Sequence, residues 1–134
     1  MAQNPPAGFP RITPYLYYED LDAGWRLQAR GESIWYSPRS LVLHAVGAAE
    51  TAATHRYYVE RNRVLTAVRH ADLPLAMYSL VLLFLKVPQA LVRWSMGKLP
   101  RRTALAVPQA FLGVLANLPS SLVQRYLNRS WRVR

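Results

Sequence analysis

The period of the apolar positions changes several times along the chain. From Ile12 to Tyr18, β-branched and aromatic residues crowd together, which predicts a strand. From about Asp22 to Arg30 the apolar residues Leu21, Trp25 and Ala29 recur at helical spacing, and Gly31 supplies a stop signal. Ile34-Trp35-Tyr36 and Leu41-Val42-Leu43-His44 read as two short strands around the turn-like Ser37-Pro38-Arg39-Ser40. Ala45 to Thr54 is small and loop-like. Thr54 is placed to cap a helix from His55 to about His70, where Tyr58, Leu65 and Val68 share a face with Val64 beside them. Arg56, Glu60, Arg63 and Arg69 fall mostly elsewhere, as in an ordinary amphipathic helix.

Leu75 to Leu85 is almost wholly apolar before Lys86 and Pro88 interrupt it. A membrane-spanning helix needs roughly 20 apolar residues. This shorter run reads as a re-entrant, surface-lying or buried core helix. Apolar helical turns punctuated by Pro100, Pro108 and Pro119 follow, so helices are expected over 74–130 with breaks at the prolines. Residues 1–14 hold four of the ten prolines and no period, and residues 1–16 read as an extended or disordered lead. The pattern predicts a mainly α chain with a small β element.

Composition narrows the partners. The 134 residues suffice for one domain with a modest core. The chain has no cysteine, which excludes disulfides and thiolate metal sites. The polar, proline-rich start does not resemble a secretory signal. The formal charge is +10, and residues 73–134 carry nine lysines and arginines and no acid. Such a half is drawn to an anionic surface. Trp94 and Trp131 beside arginines, at the ends of apolar helices, favour a membrane interface over a solvated basic face awaiting a partner domain. Nucleic acid is not expected as a partner: there is no zinc-finger spacing and no strand of interleaved glycines and aromatics.

Candidate chemistry concentrates at Tyr17-Tyr18-Glu19-Asp20-Leu21-Asp22, which holds three of the chain's seven acids. A carboxylate cluster among cations can bind a metal or provide a general base. Asp20 or Asp22 can equally cap the following helix, and the cap is the favoured reading for Asp22. The Glu19-Asp20 pair exceeds what a cap needs, and Asp20-Leu21-Asp22 has the spacing of a nucleotide-sugar metal motif. Arg61 and Asn62 lie near the apolar seam of their helix, where polar groups need partners; a hydrogen-bonded structural pair and a functional one are both open. From its strand position alone His44 reads as a half-buried strand histidine rather than a ligand.

Tyr17 to Asp22, then Gly24-Trp25-Arg26-Leu27 and Arg30-Gly31, resembles the C-terminal part of family 2 glycosyltransferases, particularly bacterial rhamnosyl- and galactofuranosyl-type enzymes acting on lipid-linked acceptors. Ile34 to Pro38, His44 with Gly47, and Arg56-Tyr57-Tyr58 through Glu60-Arg61-Asn62-Arg63 continue the likeness in register. The resemblance implies the truncated C-terminal half of a GT-A-like α/β glycosyltransferase. Residues 17–72 would be the acceptor-side catalytic fragment, and residues 73–134 a basic amphipathic helical region on the membrane. It implies that Asp20 is the general base, with Glu19 beside it. Asp22, Trp25, Arg61 and Asn62 would serve the acceptor, and His44 the divalent metal (Mg or Mn) of a complete enzyme. The partners implied are a nucleotide sugar, a lipid-linked glycan acceptor and an anionic membrane, at the cytoplasmic inner face of the cell membrane. A nucleotide site needs a βαβ unit of about 30 residues, and none precedes Tyr17, so no turnover is expected of this chain alone. Pro10 to Asp20 is also similar to the first strand of glyoxalase/bleomycin-resistance-type proteins, as far as about Ala23.

Overall fold

The computed structural model describes residues 17–39, 41 and 51–131. They form four helices: α1 (Glu19–Ala29), α2 (Ala52–His70), α3 (Leu73–Ser95) and α4 (Arg101–Trp131). The mainly α expectation holds. No strand occurs among the described residues, which include 34–36 of the expected β element but not 42–44. Ile34-Trp35-Tyr36 runs as coil, with Trp35 and Tyr36 87% and 89% exposed. Strand-favouring side chains make a strand only where a ladder partner and a packed face exist. Tyr17 and Tyr18 form a bend rather than the end of a strand. The strand expected at 12–16, His44 and its neighbours, and the lead 1–16 lie outside the described residues.

Helix ends follow local chemistry. α1 begins at Glu19, three residues before the expected start, and its N-cap is Tyr18. It stops as expected: Gly31 takes φ +76°, its N–H donates to Gln28 O at 3.0 Å, and the Glu32 N–H donates to Leu27 O at 3.0 Å. This paired arrangement satisfies two terminal carbonyls. Gly97 (φ +69°) ends α3 in the same way, with Lys98 N–H donating to Arg93 O at 2.8 Å and Gly97 N–H to Trp94 O at 2.9 Å. α2 is capped by Thr51, whose Oγ1 accepts from the Thr54 N–H at 3.2 Å, so Thr54 lies inside the first turn instead of capping it. Asp72 caps α3 by accepting from the Leu75 N–H at 3.2 Å.

The expected breaks at the prolines occur only at Pro100, which follows Gly97. Pro88 lies inside α3, and Pro108 and Pro119 lie inside α4. Each interior proline forfeits one backbone hydrogen bond and costs about 3 kcal/mol relative to alanine. Packing offsets that cost.

α2, α3 and α4 pack as a three-helix bundle, with the most extensive contact between α2 and α4. α3 donates a narrow stripe, Ala76, Ser79, Leu83 and Ala90, to the core. α4 supplies Ala104, Val107, Ala110 and Val114, and α2 supplies Val64, Leu65 and Val68. The small residues of α4 let α2 approach closely. A Cβ at Gly113 would lie 2.8 Å from the Tyr57 hydroxyl and 3.1 Å from Arg61 Cδ. α2 and α4 run parallel: Tyr57 and Arg61 meet Gly113, while Arg69 Nε donates to Ser121 Oγ at 3.2 Å further along. α1 lies across one end of this bundle and touches α2 and α4.

Candidate functional site

The acid turn is built against α2. Tyr17 and Tyr18 both adopt left-handed backbone, φ +60° and +68°, which costs non-glycine residues about 1–3 kcal/mol each. Asn62 of α2, fully buried, donates from Nδ2 to the Tyr17 carbonyl at 3.1 Å. Arg61 Nε donates to Asn62 Oδ1 at 2.9 Å, which fixes the amide so that its NH₂ faces Tyr17. The Arg61 guanidinium lies 5.2 Å and 4.9 Å from the ring centres of Tyr57 and Tyr58, within cation–π range. The Tyr17 ring meets His55 edge-on at 4.7 Å. The Asp22 N–H closes the turn on the Tyr18 carbonyl at 2.9 Å.

This turn presents Glu19 and Asp20 to solvent in the first turn of α1. Asp20 Oδ1 accepts from the Leu21 N–H at 2.8 Å. Negative charge there suits the positive end of the helix dipole.

Asp22 does not cap the helix, although that was its favoured reading. It is fully buried and pairs with Arg26 one turn on, with His70 Nε2 at 2.7 Å and with Arg69 at 3.7 Å. His70 Nε2–H donates to Asp22 while Nδ1 accepts from Asn128 Nδ2 at 3.3 Å. Burial lowers the pKa of Arg69 from the ordinary guanidinium value; Asp22 opposes the shift, and Arg26 and Arg61 reinforce it. Arg125 finishes the cluster from α4, donating to the carbonyls of Val68 and Ala71 at 2.8 Å each, at the end of α2. Trp25 stands over His70, with ring centres 5.5 Å apart.

Of the residues singled out from sequence, Glu19, Asp20, Asn62 and Arg61 are thus joined through the Tyr17 bend. Asp22 and Trp25 belong to the neighbouring buried cluster, and His44 lies outside the described residues. Sequence reasoning missed the burial of Arg26, Arg69 and His70. The i, i+4 spacing of Asp22 and Arg26 was the one available signal. It also placed Glu60 on a polar face, whereas Glu60 is buried, bonded to Lys86 of α3 at 2.6 Å and to Arg63 at 2.9 Å. No protein-family model, curated protein or solved structure matches the chain.

Proposed function

We propose that residues 17–72 form the acceptor side of an inverting family 2 glycosyltransferase of GT-A type, docked by residues 73–134 on an anionic membrane. The sugar would pass from a nucleotide donor to a lipid-linked or polysaccharide acceptor. The observation that carries this reading is the hydrogen bond from Asn62 to the Tyr17 carbonyl. It joins the two stretches on which the resemblance rests, 45 residues apart in the chain, and it holds a strained bend directly before the two exposed acids. Strain held in place by a dedicated buried donor is found at functional sites.

In this proposal Asp20 takes the proton of an acceptor hydroxyl as its oxygen attacks the anomeric carbon and the bond to the donor diphosphate breaks. Glu19 orients the acceptor. The donor and its divalent metal are assigned to a donor-binding half, with His44 on the metal side. Among the described residues no three of His, Cys, Asp and Glu stand together as a metal ligand set. The test joins the chain to a nucleotide-sugar-binding half and follows transfer to a lipid-linked glycan in vesicles. A glycoside of inverted anomeric configuration, absent with the chain alone, is expected. Transfer with retention would refute the assignment.

A non-enzymatic membrane-surface module is the second reading, favoured by the exposed faces of α3 and α4. Both helices are long and apolar enough to cross a membrane, yet only 22% and 28% of their most apolar windows are buried. Tyr78, Val81, Phe84, Leu85 and Trp94 of α3 face outward. A flat-lying docking mode fits better than a spanning one. α2 runs alongside α4 and is tied to α3 by Glu60–Lys86. Any spanning hairpin would therefore carry α2, with Arg56, Glu60, Arg61, Arg63 and Arg69, into hydrocarbon, where each charge is costly. Lying in the interface, the bundle buries its outer apolar face and keeps α1 and α2 toward water. Arg93, Lys98, Arg101 and Arg102, all exposed around the α3–α4 connection, then meet lipid headgroups.

A further inference from the structure

A groove of 270 Å³ opens beside the acid turn, between α1, α2 and α3. Leu21 and Trp25 form one wall, Leu75 and Leu82 the other, and Ala67 lies at the base. Tyr18 stands at the end nearest Glu19 and Asp20, and Tyr78 lines the groove from α3. Arg63, Thr66 and Ser79 interrupt this apolar lining. Among the described residues, Thr66 Oγ1 and Arg63 Nε have no hydrogen-bond partner, and both atoms are buried. An unpaired buried donor is costly, and native proteins keep few of them. Arg63, the one cation in the lining, shares the Glu60 carboxylate with Lys86, so its charge is only partly offset.

We infer that this groove binds the phosphate-bearing end of a membrane lipid, with Arg63 and Thr66 donating to the phosphate and the apolar chain leaving along α3. The lining fits an amphiphile better than a free sugar or a free phosphate: Arg63 and Thr66 offer a cation and a hydroxyl one turn apart on α2, and most of the remaining side chains are apolar. The way out is continuous with the bilayer-facing surface, because Leu75 and Tyr78 line the groove and are also exposed on the outside of α3. A lipid drawn from the leaflet would bring its head to Tyr18, next to Asp20. This deepens the acceptor reading proposed above and rests on it only for the claim that the bound lipid is the acceptor.

The test titrates dodecyl phosphate onto the full chain in phosphatidylcholine vesicles by calorimetry, with dodecanol and inorganic phosphate as separate arms. Saturable binding of dodecyl phosphate is expected, with the other two at least about tenfold weaker, since each lacks one half of the recognition. Thr66→Val removes the hydroxyl without changing shape. It should weaken binding about tenfold while the melting temperature holds or rises, because an unpaired buried oxygen is removed. Arg63→Gln should weaken binding about tenfold or more through the lost charge. Unsaturable partitioning, equal affinity for phosphate alone, unchanged binding in Thr66→Val, or a lowered melting temperature in that variant would each overturn the inference. No nucleotide sugar enters this measurement, so failure of transfer in the joined enzyme leaves its outcome unaffected, and its failure leaves Asp20 untouched.

Discussion

Asp22 and Asn62 decide the geometry around the acids while taking no part in the proposed chemistry. Asp22 is the one carboxylate among Arg26, Arg69 and His70, deep enough that its loss leaves buried guanidinium charge uncompensated. Asp22→Asn should therefore lower unfolding free energy by about 3–5 kcal/mol, read by urea denaturation; a change near zero would place the cluster in water. Asn62→Asp replaces the Nδ2 donor by an oxygen facing the Tyr17 carbonyl. The two left-handed tyrosines then lose their anchor, and the joined enzyme should lose rate while donor affinity stays normal. Little of this pairing was legible. Periodicity shows which positions face inward, but partner identity depends on helices 40 or more residues apart in sequence, as with Asp22 and His70 (48 residues). The resemblance did mark Arg61 and Asn62, and the structure joins them to each other and to the Tyr17 carbonyl.

At the scale of elements, the legible parts were those set by neighbours in sequence. Gly31 ends α1 because its left-handed conformation is a local property. The start of α1 escaped because no Ser, Thr, Asn or Asp caps it; a strained tyrosine does. The strand expected at 34–36 was misread because Trp35 and Tyr36 have strand-like side chains but no face to pack on. The interior prolines were misread because tertiary packing outweighs a local penalty of about 3 kcal/mol. α3 shows the division of labour most clearly. Leu83 is its large fully buried side chain, and Phe84 beside it is exposed. Leu83→Ala should cost about 2–5 kcal/mol of stability. Phe84→Ala should leave the melting temperature nearly unchanged and weaken vesicle binding instead; the reverse pattern would turn the helix over. Gly113→Ala tests the α2–α4 approach. The gain of about 1 kcal/mol in helix propensity offsets the loss of about 1 kcal/mol from the Tyr57–Arg61 hydrogen bond. Stability should stay level while transfer falls, because Arg61 is displaced from Asn62.

The whole molecule joins a polar side, carrying the acid turn, to an apolar and basic side. Binding to anionic vesicles should weaken as salt rises, since exposed cations are screened beyond about 10 Å at 0.1 M. The absence of cysteine allows one to be placed at Met96 without interference. In the flat-lying arrangement Met96→Cys on externally added protein stays open to an impermeant maleimide, whereas a spanning hairpin would carry it across and protect it. In the proposed function this platform delivers a catalytic carboxylate, Asp20, to a lipid-bound acceptor. The most direct measurement compares the joined enzyme with its Asp20→Asn variant on vesicles, with turnover and donor affinity read separately. A positioned base contributes about 10²–10⁴-fold. Turnover should fall by that order with donor affinity unchanged. Near-parental turnover in Asp20→Asn would make Asp20 only an acid at the end of a helix, and would contradict the catalytic reading of the whole Tyr17–Asp22 turn.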